Sequence, residues 1–193
     1  ILLGALAAAG LSAWALDIRG YARSARLATP ATAYAGREDA VRDIAAALDF
    51  ACRRDGVAKV VLVGGSWGSI TTALFASSNA GHIAGLALMA PLYASVNDLW
   101  LADLADPAHR SRLNPGLGAC RAVGRAQLLA RWDPEIPPGR AAARRDPAVL
   151  DALLADALDC EPAPVATTFT VPNGTLHDLF EVFSCRPLYD AAA

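Results

Sequence analysis

The chain has 193 residues, a formal net charge of -2 and a hydrophobic content of 54%. That length suits one domain with a substantial core, and the composition excludes a polybasic nucleic-acid binder and a disordered tail. Lys59 is the only lysine, so the basic residues are almost all arginine, which together with abundant alanine reads as a compositional bias of the source rather than a binding patch. Ile1 to Leu16 carries no charge. It resembles the apolar part of a secretory leader, but no basic region stands before it and Asp17-Ile18-Arg19 follows at once. It is also short for a membrane span, which needs about 20 apolar residues. The pattern predicts a buried helix over Ile1–Ala9, a turn at Gly10 and a strand over Ser12–Leu16.

A loop then runs through Pro30, and a helix is predicted over Glu38–Arg54. Val41, Ile44, Ala45, Leu48 and Cys52 fall on one face at helical spacing. Arg53 and Arg54 suit the last turn and Gly56 is the stop signal. Val60–Val63 is a short β-branched run, Ile70–Ala76 a small apolar helix, and Ala84–Met89 a further strand ending at Ala90-Pro91. Helix and strand alternate three times, which argues for a parallel sheet with helices on its faces. After Leu92 the texture changes to prolines and short helical patterns, with no good strand. Asp146-Pro147 caps and opens one helix with Val149, Leu150, Leu153, Leu154 and Leu158 on its apolar face. Thr175–Phe183 is another, gathering Leu176, Leu179, Phe180 and Phe183.

The stretch with most chemistry is Gly64-Gly65-Ser66-Trp67-Gly68, between the Val60–Val63 strand and the following helix. A serine there, with glycines two before and two after, fits a G-x-S-x-G nucleophile turn. The turn forces the serine into a strained conformation and brings strand and helix close, so a Cβ at either flanking glycine is expected to clash. Ser66 Oγ is lifted clear of the backbone. The Trp67 N–H, at a helix N-terminus, points where an oxyanion would form. A phosphate-binding turn is the rival. A Walker A loop requires Gly-Lys-Ser/Thr, and the spacing of Gly64, Gly65 and Gly68 is not G-x-G-x-x-G. A tight turn without chemistry is the other alternative.

The cysteines, Cys52, Cys120, Cys160 and Cys185, show no C-x-x-C spacing, and His82, His109 and His177 are scattered. No metal site is expected, and the cysteines read as reduced, partly buried thiols.

Three segments together resemble the α/β-hydrolase superfamily. Leu16-Asp17-Ile18-Arg19-Gly20-Tyr21-Ala22-Arg23-Ser24 resembles its D-x-R-G-x-G-x-S segment, with Ala22 in place of the usual second glycine. Gly64-Gly65-Ser66-Trp67-Gly68-Ser69 resembles the elbow of proline iminopeptidase-like and serine aminopeptidase-like members. Leu86 to Pro91 resembles the strand that leads into the cap. The resemblance implies an α/β fold with about three strands of the parallel sheet and flanking helices over 1–92, followed by a mostly helical cap over 93–193. It also implies that this is an internal fragment lacking both ends of the fold. The oxyanion loop, a central strand, the triad acid and the triad histidine would lie outside it. The isolated chain is then expected to be poorly stable and inactive.

Within the chain, His177 and Glu181 read as an exposed i, i+4 pair. His82 precedes a strand at the far side from the serine, and His109 reads as part of a solvated face with Asp106, Arg110 and Arg112. Asp98 stands where some α/β-hydrolases place their acid, but a cap-hinge or helix-capping role is preferred. Asp17 and Arg19 read as an ion pair or loop brace. The Trp67 indole packs under the cap or touches substrate, with neither favoured. Trp100, Leu101, Leu104, Phe180 and Phe183 read as cap core rather than an acyl pocket.

The function expected is a serine hydrolase acting on a small-molecule ester or amide through an acyl-enzyme on Ser66. Trp67 supplies an oxyanion N–H, and Gly64 and Gly68 form the elbow. No cofactor, nucleic acid or membrane span is expected, and the composition suggests a cytoplasmic location. The rivals are an acyltransferase on the same fold and a non-catalytic hydrolase-like binding protein. Substrate and oligomeric state are not legible.

Overall fold

The computed structural model describes residues 2–27, 30–140, 144, 146–161 and 167–191. Helix α1 spans Leu2–Ala8; Ile1, where a helix start is predicted, lies outside the described residues. α1 has no buried residue, and Leu2 and Leu3 are open to solvent, so the expected buried helix is corrected.

Ser12–Leu16 does not form the predicted strand. Its backbone joins no ladder among the described residues. Its alternation instead serves a side-chain dock: Ser12 Oγ and Trp14 Nε1 both donate to Asp55, at 2.6 and 2.9 Å. Trp14 meets Phe50 edge-on, and the Arg54 guanidinium lies 5.6 Å over its ring.

Helix α2, Arg37–Asp55, has Glu38 and Asp39 in its first turn and Arg53 and Arg54 in its last, matching the helix macrodipole. Gly56 closes it in the left-handed region at φ 67. Its buried line is Ala40, Ile44, Leu48 and Ala51. Ala45, expected on that face, is exposed.

Strand β1 (Val60–Gly65), helix α3 (Trp67–Ser78) and strand β2 (Ile83–Met89) form the predicted βαβ unit. β1 and β2 pair in parallel, with Leu62 opposite Leu86 and Gly64 opposite Leu88. This two-stranded sheet is one strand short of the expected three, because Ser12–Leu16 stays out of it. One sheet face packs Val60, Leu62 and Ile83 against Ile44, Leu48 and Phe75. The other leaves Val61 and Val63 exposed.

Strands also form beyond Leu92, correcting the expectation of none. β3 (Cys120–Gly124) and β4 (Thr168–Pro172) pair antiparallel, Arg121 opposite Val171 and Val123 opposite Phe169. Each is short and its partner is remote in sequence, so no hairpin turn signals them. The helices of this half are α4 (Asp98–Leu104), α5 (Arg125–Trp132), α6 (Pro147–Asp159) and α7 (Gly174–Phe183). Asp146 caps α6 by accepting the Ala148 N–H. Only Leu150 and Leu154 of the predicted α6 face are buried, while Val149 and Leu153 are exposed.

α7 carries the main core. Leu176, Leu179, Phe180, Val182 and Phe183 pack with Leu104 and Ala105 of the α4 end and with Ile70 of α3. Helix α3 is therefore gripped on two sides, by α2 through Phe75 and by α7 through Ile70. The residue at the start of α3 is held between the two halves of the chain. Among the described residues, no helix is long and apolar enough to cross a membrane.

Candidate active site

Ser66 stands between β1 and α3 with φ 51 and ψ -121. A positive φ in a non-glycine residue is strained and persists only where neighbours enforce it. The neighbours are identifiable. The Ser66 N–H donates to Met89 O at 3.0 Å, tying the turn to the end of β2. The Ser66 carbonyl accepts from the Ser69 N–H and from Ser69 Oγ, at 2.9 and 2.5 Å. Ser69 Oγ in turn accepts the Leu92 N–H at 2.9 Å. Ser69 is fully buried, so one hydroxyl binds the turn to the chain leaving β2. Sequence reasoning quoted Ser69 without a role, because its second partner lies 23 residues away.

The two glycines of the motif differ. A Cβ on Gly64 would lie 2.7 Å from the Gly68 carbonyl carbon, and closer still to Gly68 O and Thr72 Oγ1. Strand and helix touch backbone to backbone there, as expected. A Cβ on Gly68 would meet nothing within 4 Å, so the expected clash at that flank is corrected: Gly68 is the surface approached, and its own missing side chain points into open space.

Ser66 is exposed, and its hydroxyl makes no hydrogen bond among the described residues. Trp67 is the first residue of α3, where an N–H has no acceptor within the helix. The free donor thus sits next to the strained serine, at the positive end of the helix dipole.

The Trp67 indole is held from the second half of the chain. Its Nε1 donates to Asp178 Oδ2 at 2.8 Å. Asp178 is 2% exposed and also accepts from the Arg37 N–H and from Arg37 Nη1, each at 2.8 Å. Burial pushes the Asp178 carboxyl above the usual carboxylate range, with the Trp67 and Arg37 hydrogen bonds opposing that rise. The Tyr21 ring stacks near the indole, with centroids 6.2 Å apart. Its hydroxyl bonds Thr175 on α7. Of the two roles weighed for the indole, packing against the second half of the chain is what these contacts describe. Asp178 went unnoticed in the sequence. Its one signal is that apolar residues occupy so much of the α7 circumference that a carboxylate there has no route to water.

The D-x-R-G-like segment forms a turn braced on α2. Arg19 Nη2 and Nε reach Asp43 at 2.6 and 3.0 Å, and Arg19 Nη1 lies 3.2 Å from Asp39. Arg19 therefore pairs with α2 and not with Asp17, which accepts from the Arg23 N–H. Burial opposes ionisation of Asp43, but the hydrogen bonds and charge of Arg19 outweigh it and hold this carboxyl below its ordinary range. Ala22, where the resembled segment has glycine, adopts φ 44, a left-handed conformation suited to glycine.

Among the described residues none of the three histidines hydrogen-bonds Ser66. His177 is exposed on the outer side of α7, and Glu181, its expected partner, pairs with Arg186 at 2.8 Å instead. His82 ends the turn leading into β2, at the sheet end opposite Ser66. His109 is exposed, and its backbone bonds Asp106 and Arg112. Asp98 opens α4, but Asn97 caps that helix by accepting the Trp100 N–H. Leu104, Phe180 and Phe183 are core, and Trp100 stacks on Phe183 at 5.7 Å. The four cysteines are unpaired thiols, and Cys185 is exposed rather than partly buried.

Parallel strands joined through a helix, with a strained serine at the strand-to-helix turn, define the α/β-hydrolase class. Residues 2–171 match the serine aminopeptidase S33 family. The chain belongs to that family. No curated protein matches it. Among solved structures, the selenomethionine-substituted hypothetical protein PA1622 from Pseudomonas aeruginosa PAO1 is similar, at 25% identity and a TM-score of 0.41. The match covers 91% of this chain but only 56% of that one.

Proposed function

We propose that this chain is the nucleophile-bearing part of a serine hydrolase that cleaves an ester or amide bond. The observation that carries the reading is Ser66 at φ 51 between β1 and α3. Such a conformation costs of order 1–3 kcal/mol, and residues held in one cluster at active sites. Residues 1–92 are read as the core segment and 93–193 as the cap. On composition, the enzyme is assigned to the cytoplasm.

In this mechanism Ser66 Oγ attacks the carbonyl carbon of a small-molecule substrate. A histidine takes the serine proton and later delivers it to the leaving group. Since no described hydrogen bond joins His82, His109 or His177 to Ser66, the reading assigns that histidine, and the acid that orients it, to residues beyond these 193. The tetrahedral oxyanion is held by the Trp67 N–H and by a second donor supplied from elsewhere in the protein. Gly64 and Gly68 form the elbow: Gly64 permits the close strand-to-helix approach, and Gly68, in the first turn of α3, is the backbone it approaches. Water then releases the acyl group.

The test is labelling with a fluorophosphonate probe. It is applied to the 193-residue chain and to a longer chain extended at both ends, each with Ser66→Ala beside it. Labelling of the extended chain alone, lost in Ser66→Ala, is the expected result. Strong labelling of the short chain would mean that one of its own histidines activates Ser66. Labelling of neither would favour a binding protein. Product analysis with and without an added acyl acceptor separates hydrolysis from acyl transfer.

A further inference from the structure

We infer that Asp178 is a positioning residue: carried by α7, it clamps the Trp67 indole and thereby fixes the Trp67 N–H at the oxyanion position. The inference rests on the reading of Ser66 as nucleophile.

A carboxylate on a helix otherwise buried in apolar contacts is costly unless donors meet it. Three do: the Arg37 N–H, Arg37 Nη1 and Trp67 Nε1, each at 2.8 Å. Both oxygens are engaged by Arg37 and Trp67 and no histidine is among the donors, so Asp178 is not read as a triad acid. Arg37 Nε is also paired with Glu38 at 2.9 Å, so Asp178 is not its only anion. Among the described residues, Asp178 is the one acceptor for the Trp67 indole N–H.

The indole is gripped twice by α7. Asp178 holds its edge, and Tyr21, bonded to Thr175 one turn earlier on the same helix, lies stacked near its face. The start of α7 is packed directly against the chain that leads into α2. A Cβ on Gly174 would overlap the backbone of Tyr34, Ala35 and Gly36, and the Gly174 N–H donates to Tyr34 O at 3.0 Å. Trp67 carries the oxyanion donor on its backbone and the clamp on its side chain, so fixing one restrains the other. A displacement of α7 would reach the donor directly.

The experiment measures kcat and KM for p-nitrophenyl acetate hydrolysis by the full chain that labels with fluorophosphonate. The variants are Trp67→Phe, Asp178→Asn, Asp178→Ala and the Trp67→Phe/Asp178→Ala pair, with Ser66→Ala alongside. Deleting an oxyanion donor outright costs about 100- to 1000-fold in kcat, so loosening one is expected to cost about tenfold. KM should hold within about twofold, because neither side chain is assigned to the substrate. Asp178→Asn, which keeps an acceptor oxygen, should lose less than Asp178→Ala. The double variant should be no worse than Asp178→Ala alone, since both remove one link. Wild-type kcat in Trp67→Phe, which leaves Asp178 paired with Arg37, would overturn the clamp, as would losses that multiply in the double variant. Lowered melting temperature with unchanged kcat would make Asp178 a folding residue only. Activity surviving in Ser66→Ala, or no labelling of any chain, would remove the nucleophile reading itself and the clamp with it.

Discussion

Gly64→Ala and Gly68→Ala are expected to act in opposite directions, although the motif treats the two glycines alike. The alanine methyl at 64 would sit 2.7 Å from the Gly68 carbonyl carbon and nearer to its oxygen. The obstacle is backbone at the first turn of α3, and Gly64 is locked opposite Leu88 in the sheet, so neither side can yield cheaply. Overpacking of this kind costs about 1–3 kcal/mol, and a backbone clash belongs at the upper end, about 3 kcal/mol. For a domain of this size each kcal/mol moves the melting temperature by about 2–4 °C, so a drop of about 6–12 °C is expected. At 68 the methyl meets open space, and alanine exceeds glycine in helix propensity by about 0.8–1.0 kcal/mol. Gly68→Ala should therefore raise the melting temperature by about 2–4 °C. Thermal unfolding followed by far-ultraviolet circular dichroism, with urea titrations beside it, reads both. A Gly64→Ala protein melting within about 2 °C of the parent, or two variants shifted in the same direction, would refute the reasoning.

Other perturbations follow from the same geometry. Ser66→Gly should be more stable than Ser66→Ala by about 1 kcal/mol in urea unfolding, because only glycine relieves the φ 51 strain. Ala22→Gly should likewise stabilise, by about 0.5–1 kcal/mol, since φ 44 is a glycine conformation; a destabilised variant would show that the Ala22 methyl matters more than its backbone. The Arg19–Asp43 bridge should be pH-dependent in one direction. The folded carboxyl titrates below its ordinary range, so its contribution is present at neutral pH and fades as pH falls through the carboxylate range, about 4 and lower. Urea midpoints against pH should lose part of this acid slope in Asp43→Asn. Asp146→Ala removes the α6 cap and should cost about 1 kcal/mol by the same assay, with Asp146→Ser close to the parent.

Much of the fold was written locally. The α2 period, its end charges and Gly56 are helix signals carried by neighbours in sequence, and α2 forms within a residue or two of its prediction. β1, the Gly64–Gly68 turn and α3 are equally local, since a β-branched run, two glycines and a small apolar run suffice to place strand, turn and helix. β3 and β4 failed this test because a strand is completed by its partner, and Cys120 pairs with Pro172 on the far side of α5 and α6 in the chain. Ser12–Leu16 failed in reverse: it has the alternation of a strand but no ladder to join, and Asp55 takes its polar side chains.

The sequence by itself therefore determined the βαβ unit, the strained serine turn and the helices that end in clear signals, because periodicity and backbone sterics act over a few residues. Only the tertiary structure decided which faces are buried, that Arg19 braces α2, that Gly68 is open while Gly64 is not, and that Asp178 meets Trp67 across 111 positions. Burial and pairing are properties of neighbours in space, and no local pattern specifies which remote residue those neighbours will be.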